Sequence, residues 1–352
     1  METSMQTNMK TNTRIQTQQL PANDNRKPTR IISLAARRAG AARRRALMRD
    51  WGPAILATFF TVGCGPTFDP ASLVTSTRVV GAHVEASGMD DRASAAPGES
   101  VAVRWLVTAP AAVPNLQWAF ALCTPGAGGA LGCTSPPLAL FQGTGNPPTV
   151  PVVMPAADAL GGASHVTLYG QICDTGAPVF DPATGNPGCA DGPGTTASVS
   201  ILVQTPDTVN HNPTADHGLT FDGQLWPALA AGGDPCLVGP TVLAGTEDHV
   251  VALTTEGTDR EAYAALLGDP PVPTAQREAL QVSFFTTSGK MKSAFAFIEG
   301  ANPDPAPPAT VSWNAPKVAD VAAPTPVTFT FVVRDGRGGT DWTTRAACVT
   351  PN

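Results

Sequence analysis

Between Arg104 and Arg260 the chain carries no lysine or arginine. Only 14% of its residues are charged, where about a quarter is usual. Long apolar runs are missing as well. The stretch PAILATFFTV, Pro53 to Val62, is ten residues without a charge, and a helix needs about 20 to cross a bilayer. A stable transmembrane span is therefore not expected. Several catalytic and binding signatures are also absent. No G-x-S-x-G occurs, so the usual serine-hydrolase elbow is missing. No P-loop and no G-x-G-x-x-G opening a helix is present to cradle phosphate. No two cysteines stand at the C-x₂₋₄-C spacing of zinc sites.

The short apolar run has a meaning of its own. It follows Arg37, Arg38, Arg43, Arg44, Arg45 and Arg49 and leads into Thr61-Val62-Gly63-Cys64. A basic flank, a run of 7 to 15 apolar residues and small residues before a cut make a secretory signal. The ending resembles a bacterial lipobox, in which the cysteine thiol is diacylated and cleavage leaves it as the new N-terminus. Residues 48–63 are thus expected as a lipoprotein signal peptide, Cys64 as the lipidation site and residues 64–76 as a tether. Secretion with cleavage nearby and a buried core helix are the competing readings. Residues 1–47 are Thr/Asn/Gln-rich and then Arg-rich, without an apolar period. They read as a disordered basic extension or as sequence upstream of a true start at Met48.

Charge divides the chain at the same place. Residues 1–47 hold ten Lys or Arg and two acids, whereas residues 64–352 hold 11 basic and 25 acidic residues. A mature part carrying −14 is repelled by phosphate backbones, so no nucleic-acid partner is expected.

Seven cysteines remain to be placed: Cys64, Cys123, Cys133, Cys173, Cys189, Cys236 and Cys348. With Cys64 acylated, six are left, an even number suited to an oxidising compartment. Six cysteines allow 15 connectivities. Cys123 ends the alternating segment NLQWAFALC and Cys173 ends HVTLYGQIC, and each meets its next cysteine after a glycine-rich excursion. The expected pairs are 123–133 and 173–189 as loop clamps, with 236–348 joining the two ends of the last domain.

Gly and Pro together make up 69 of 352 residues, yet the segments between them alternate. RVVGAHVEA (78–86), SVAVRWLVT (100–108), HVTLYGQIC (165–173) and TASVSILVQ (196–204) suit strands. So do HVVALTTE (249–256), LQVSFFTT (280–287), MKSAFAFIEG (291–300) and PVTFTFVVRD (326–335). A polar, aperiodic stretch at 205–218 separates the two sets. The expectation is an all-β chain of two β-sandwich domains, residues 77–206 and 207–352. DREAYAALLG (259–268) reads as a short helical insert in the second, capped by Thr258 or Asp259 and stopped by Gly268.

VSWNAP (311–316), a proline-rich gap and FTFVVRDGRGGTDW (329–342) resemble the ending of immunoglobulin-like and PKD-like extracellular domains. Asp335-Gly336 and Gly338-Gly339 would serve the tight return. Together with DPASLVTSTRV (69–79), the turn Pro97-Gly98-Glu99 and Asn210-His211-Asn212-Pro213, the chain is similar to cell-envelope lipoproteins of the myxobacterial type. The resemblance implies an envelope location and immunoglobulin-like sandwiches, and brings no catalytic residues. Gly65 after Cys64 further resembles a lipoprotein sorted to the outer membrane, with its periplasmic or surface face left open.

Two weak metal candidates stand out. His211, Asp216, His217 and Asp222 offer imidazole and carboxylate, but in a linker without the H-x-x-x-H helical spacing. Asp174, Asp181, Asn186 and Asp191 lie among glycines where oxygen ligands could take Ca²⁺, without the EF-hand order. Asp is common in such turns for its own hydrogen bonds. His83 and His165, beside apolar strand residues, read as structural. No cofactor is expected beyond that weak calcium site. The functional expectation is a non-catalytic binding or interaction module, held to the membrane by an N-terminal lipid and meeting an envelope protein or glycan. The clamped loops 123–133 and 173–189 are the first places to look. The alternatives are a structural subunit of an envelope assembly and, less favoured, a metal-dependent hydrolase.

Overall fold

The computed structural model describes residues 69–111, 113, 115–125, 133–192, 194–205, 209–230, 233–267 and 272–352. The extension, the signal and Cys64 lie outside these residues. Among the described residues the regular structure is almost entirely strand, with two four-residue helices, α1 (Ala157–Leu160) and α2 (Pro235–Val238). No described helix is long and apolar enough to cross a membrane. The described residues belong to one compact unit, which contains two hydrophobic cores.

The first core lies between two sheets built from β1 (Arg78–Ala86), β2 (Ser94–Ala95), β3 (Ser100–Thr108), β4 (Leu116–Cys123), β5 (Ala139–Gly145), β6 (Thr149–Val153), β7 (His165–Cys173) and β10 (Thr195–Val203). Their orders are β1-β3-β6 and β2-β10-β7-β4-β5. The alternation read from β3 is realised: Val101, Val103, Trp105 and Val107 are buried together. They face Leu116, Trp118, Phe120 and Leu122 of β4 and Val166 and Leu168 of β7. Phe120 stacks on Trp105 with ring centroids 4.9 Å apart and lies flat over Gly170, where any Cβ would collide with its ring. A side chain at that strand position would expel the aromatic from the core.

Between β7 and β10 the chain forms a small hairpin, β8 (Pro178–Phe180) with β9 (Pro187–Cys189). It accounts for an irregularity in β4. Ala119, Ala121 and Cys123 point away from the core yet are fully buried. The hairpin packs against β4 and β7 and covers their outer side, and its turn reaches Pro137 beyond β4.

The second core repeats the plan with β11 (Leu219–Phe221), β12 (Gln224–Leu225), β13 (Thr241–Leu243), β14 (His249–Thr254), β17 (Leu280–Thr286), β18 (Lys290–Met291), β19 (Phe295–Ile298), β20 (Pro308–Asn314), β21 (Thr325–Arg334) and β22 (Thr340–Thr350). The sheets run β12-β11-β14-β20-β18 and β13-β22-β21-β17-β19. In each sandwich a short strand runs parallel to the last long strand, β2 on β10 and β13 on β22. The two share a common strand order, that of an immunoglobulin-like sandwich with A-B-E strands facing A′-G-F-C-C′, and the second adds β12 and β18 at the edges of its A-B-E sheet.

Two expectations are corrected. The helical insert at 259–268 is strand: β15 (Ala262–Leu267) pairs antiparallel with β16 (Val272–Arg277) in a two-stranded sheet of its own. Ala and Leu favour helix, but so short a run is marginal as a helix by itself, and VPTAQR offers a full strand partner. Asp259, one of the two expected caps, instead closes a 3₁₀ turn at Gly257–Asp259, where it forms a capping box with Glu256. MKSAFAFIEG is also not one strand. It divides into β18, paired with β20, and β19, paired with β17 in the opposite sheet.

Candidate functional site

Three disulfides join Cys123 to Cys133, Cys173 to Cys189 and Cys236 to Cys348, the same pairs that the strand ends suggest. Their geometry alters the reading of one clamped loop. The bridge 173–189 pins the β8–β9 hairpin down onto the sheet, so much of that excursion is cover rather than a free recognition loop. The bridge 236–348 ties α2 to β22.

The expected metal ligands go separate ways. His211 Nδ1 meets a carboxylate oxygen of Glu261. Asp216 pairs with the buried Arg345. His217 lies between Glu256 at 3.2 Å and Asp259 at 3.0 Å. Asp222 takes His249 Nδ1 and the Val250 N–H, each at 2.7 Å. In the other loop, Asp181 accepts the Ala183 and Thr184 N–H groups at 2.8 and 2.9 Å. Those two donors, Thr184 foremost, hold its carboxyl below the ordinary value. Among the described residues no three His, Cys, Asp or Glu side chains converge as a metal site.

The polar residues that do converge form the joint between the sandwiches, and they include the Asn210-His211-Asn212-Pro213 motif and the Asp335–Gly339 turn. Asp335 is buried at the β21–β22 turn. Its Oδ1 accepts the N–H groups of Arg337, Gly338 and Gly339 at 2.7, 3.0 and 2.9 Å. Its Oδ2 accepts Asn210 Nδ2 at 2.7 Å. Gly336 and Gly338 take the positive φ a tight turn needs, 78° and 119°. Gly339 serves closeness instead, since a Cβ there would strike Asp335. Asn210 in turn bonds Ser94 of the first sandwich, its N–H donating to Oγ at 2.9 Å. Asn212 donates to the carbonyls of Val84 and Asp90, at 2.7 and 3.0 Å, and accepts the Thr340 N–H at 2.9 Å. His83 is buried, with ring nitrogens facing the carbonyls of Thr340 at 2.6 Å and Asp90 at 2.8 Å. Trp342 meets its ring edge-on.

Behind this joint lies a charged layer. Arg337 donates to Glu278 at 2.7 Å and lies 4.7 Å from the Tyr263 ring centre. Glu278 also accepts the Glu261 N–H at 3.0 Å. Burial, with Asp335 nearby, pushes the Glu278 carboxyl up to about 7. Burial raises Asp335 as well, against the hydrogen bonds it accepts. Both carboxyls are saturated with protein donors, so their chemistry is that of a joint. A cavity of about 320 Å³ beside it is lined by Trp105, Ser198, Ser200, Arg334 and Thr340.

The first sandwich also covers the outer face of the β22-β21-β17 sheet. Val332, outward on that sheet, is fully buried, and Arg334 reaches the Val80 carbonyl. At the edge of the same face Phe295 and Phe297 remain exposed, packed edge-on to each other at 5.3 Å.

No protein-family model matches this chain, and no curated protein matches it.

Proposed function

We propose that this is a lipid-anchored cell-envelope protein of the outer membrane, acylated at Cys64, that works as a rigid, non-catalytic binding or interaction module. The observation that carries the binding role is the β15–β16 hairpin. It pairs with no larger sheet, and residues 272–275 are exposed along its second strand. A lone hairpin is marginal in water, so its base must be held. Arg277 donates to the carbonyls of Arg260 at 2.9 Å and Gly257 at 2.6 Å, and the Glu278 N–H to that of Glu261 at 3.0 Å. A projecting arm with a fixed base suits contact with an envelope protein or glycan. Three disulfides support an oxidising compartment.

A structural subunit is the second reading, favoured by the buried joint, which makes the sandwiches suitable as a stiff spacer. A metal-dependent hydrolase lacks support, because its four residues take four different partners. The test is the intact mass of protein from its native membrane, before and after reduction and alkylation, followed by photo-crosslinking from Val272 in cells. A chain beginning at acylated Cys64, with six thiols after reduction and a discrete crosslink from the arm, is expected. A full-length chain with seven free thiols would overturn the envelope reading. Crosslinking to solvent alone would overturn the arm as a contact.

A further inference from the structure

Residues 64–352 contain three lysines, Lys290, Lys292 and Lys317, and eight arginines. The arginines are spent inside the fold. Arg78 donates to the Ala71 carbonyl, Arg92 pairs with Glu99, Arg104 with Asp90, and Arg345 with Asp216. Arg260, Arg277, Arg334 and Arg337 bond within the joint and the base of the arm. The lysines are different. All three are exposed, and they gather around Asn314. Lys290 is the strand partner of Asn314. Lys292 pairs with Asp248, whose N–H donates to Asn314 Oδ1. Lys317 lines one cleft with Lys290 and Asn314, about 620 Å³ in volume.

The same cleft is walled by Leu73, Val74 and Thr75, so the lysines stand where the chain enters the fold. That incoming segment is not free. The Val74 N–H donates to the Thr286 carbonyl, and the Thr286 N–H to that of Ser72, both at 2.9 Å. Ser72 and Val74 are buried. Ser72 is the eighth residue after Cys64, and an extended chain covers at most about 3.6 Å per residue. An anchor at Cys64 therefore holds this pinned point within about 29 Å of the leaflet.

We propose that the lysine-bearing end faces the membrane, with Lys290, Lys292 and Lys317 meeting the phosphates of an anionic phospholipid leaflet; this rests on acylation at Cys64. This face is close to neutral where the chain as a whole is acidic. Lys290, Lys292 and Lys317 balance Glu247, Asp248 and Asp320 around the cleft, while residues 64–352 as a whole carry 25 acids against 11 bases. An anionic surface repels the acidic remainder, and lysines near such a surface are attracted to it. The interaction acts over roughly a Debye length, about 10 Å at 0.1 M salt, well within what the short connection allows.

The experiment is amine-reactive footprinting of the acylated protein in vesicles of phosphatidylethanolamine and phosphatidylglycerol, compared with detergent-free lipase-released protein, read by mass spectrometry. Carbodiimide labelling of Asp174 and Asp181, on the β7–β9 side, gives the internal reference. About fivefold slower labelling of all three lysines on vesicles, with the carboxyls unchanged, is expected. In the doubly substituted Lys290→Glu, Lys317→Glu protein, flotation persists and Lys292 regains its free rate. Flotation with unprotected lysines in the original protein would overturn the orientation and leave the anchor standing. Failure to float would remove the anchor, and the proposal with it.

Discussion

The two sandwiches share a common strand order, apart from the edge strands β12 and β18 of the second, and are held together by different means. The second is filled with aromatics. Trp313 meets Phe329 edge-on at 5.0 Å, Trp226 meets Phe329 at 5.0 Å and Phe221 at 5.1 Å, and Phe284 faces Phe331. Its single disulfide closes 112 residues. The first relies on Val, Ala and Leu around three aromatics, Trp105, Trp118 and Phe120, and carries two short-range disulfides. One of these pins a hairpin over small outward residues. A sandwich of smaller side chains thus carries an external cover, whereas the second is filled by edge-to-face aromatics. The shared topology constrains the connections and leaves the filling free.

The largest break in this comparison comes from the cysteines. By chain entropy, removing the 236–348 bridge lowers stability by about 5 kcal/mol and removing 173–189 by about 3 kcal/mol. Denaturant melts of the two double Cys→Ser proteins check the ratio; equal losses would mean that loop length does not govern. Next come the cores. Phe329→Ala costs about 4 kcal/mol, because it strips the ring shared by Trp226 and Trp313, and Val103→Ala in the first core about 2 kcal/mol. Calorimetry decides whether each loss falls on one sandwich or on both.

The joint sharpens the comparison through pH. Glu278 titrates at about 7 in the folded protein, well above the ordinary glutamate value. The folded state therefore binds the extra proton between those values. Its contribution is complete below the ordinary value and is lost as pH rises through about 7, an effect of up to about 3 kcal/mol. Asp335 shifts in the same direction. Melts at pH 5 and pH 8 should differ in that sense, and Glu278→Gln should flatten the difference. The readout is the slope, since Gln also loses one acceptor at either pH. The smallest effect is expected at Asp222, half-exposed beside His249. Asp222→Ala costs about 1 kcal/mol through the lost Val250 and His249 hydrogen bonds.

Much of the fold was legible because strand alternation is local. Val101, Val103, Trp105 and Val107 declare one face without reference to anything else, and the cysteines at strand ends declare neighbours close in the chain. The 259–268 segment was misread for the same reason. Its alanines and leucines carry a helical preference, but the strand opposite them decided the outcome. The His211–Asp222 stretch offered only a weak common site, and the fold separates it because nearness in sequence does not place side chains together. Its residues meet Glu261, Arg345, Asp259 and His249, each from a different element. Asn210 and Asn212 are legible in the sequence only as part of a resemblance motif and the DGRGG stretch only as a tight return, although the Asp335 carboxylate binds three successive turn amides that the spacing Asp-Gly-Arg-Gly-Gly encodes.

The sequence by itself determined the all-β class and the sandwich-forming alternation and pointed to the two loop-clamping cysteine pairs, because period-2 burial and short-range closure need only neighbouring residues. Tertiary structure alone decided that the sandwiches lock through Asn210, Asn212, His83 and Asp335, that a hairpin covers β4, and that Lys290 and Lys317 come to line a cleft with Leu73 and Val74, far away in the chain. The lock depends on which buried polar groups find partners more than a hundred residues away. No local pattern carries that information.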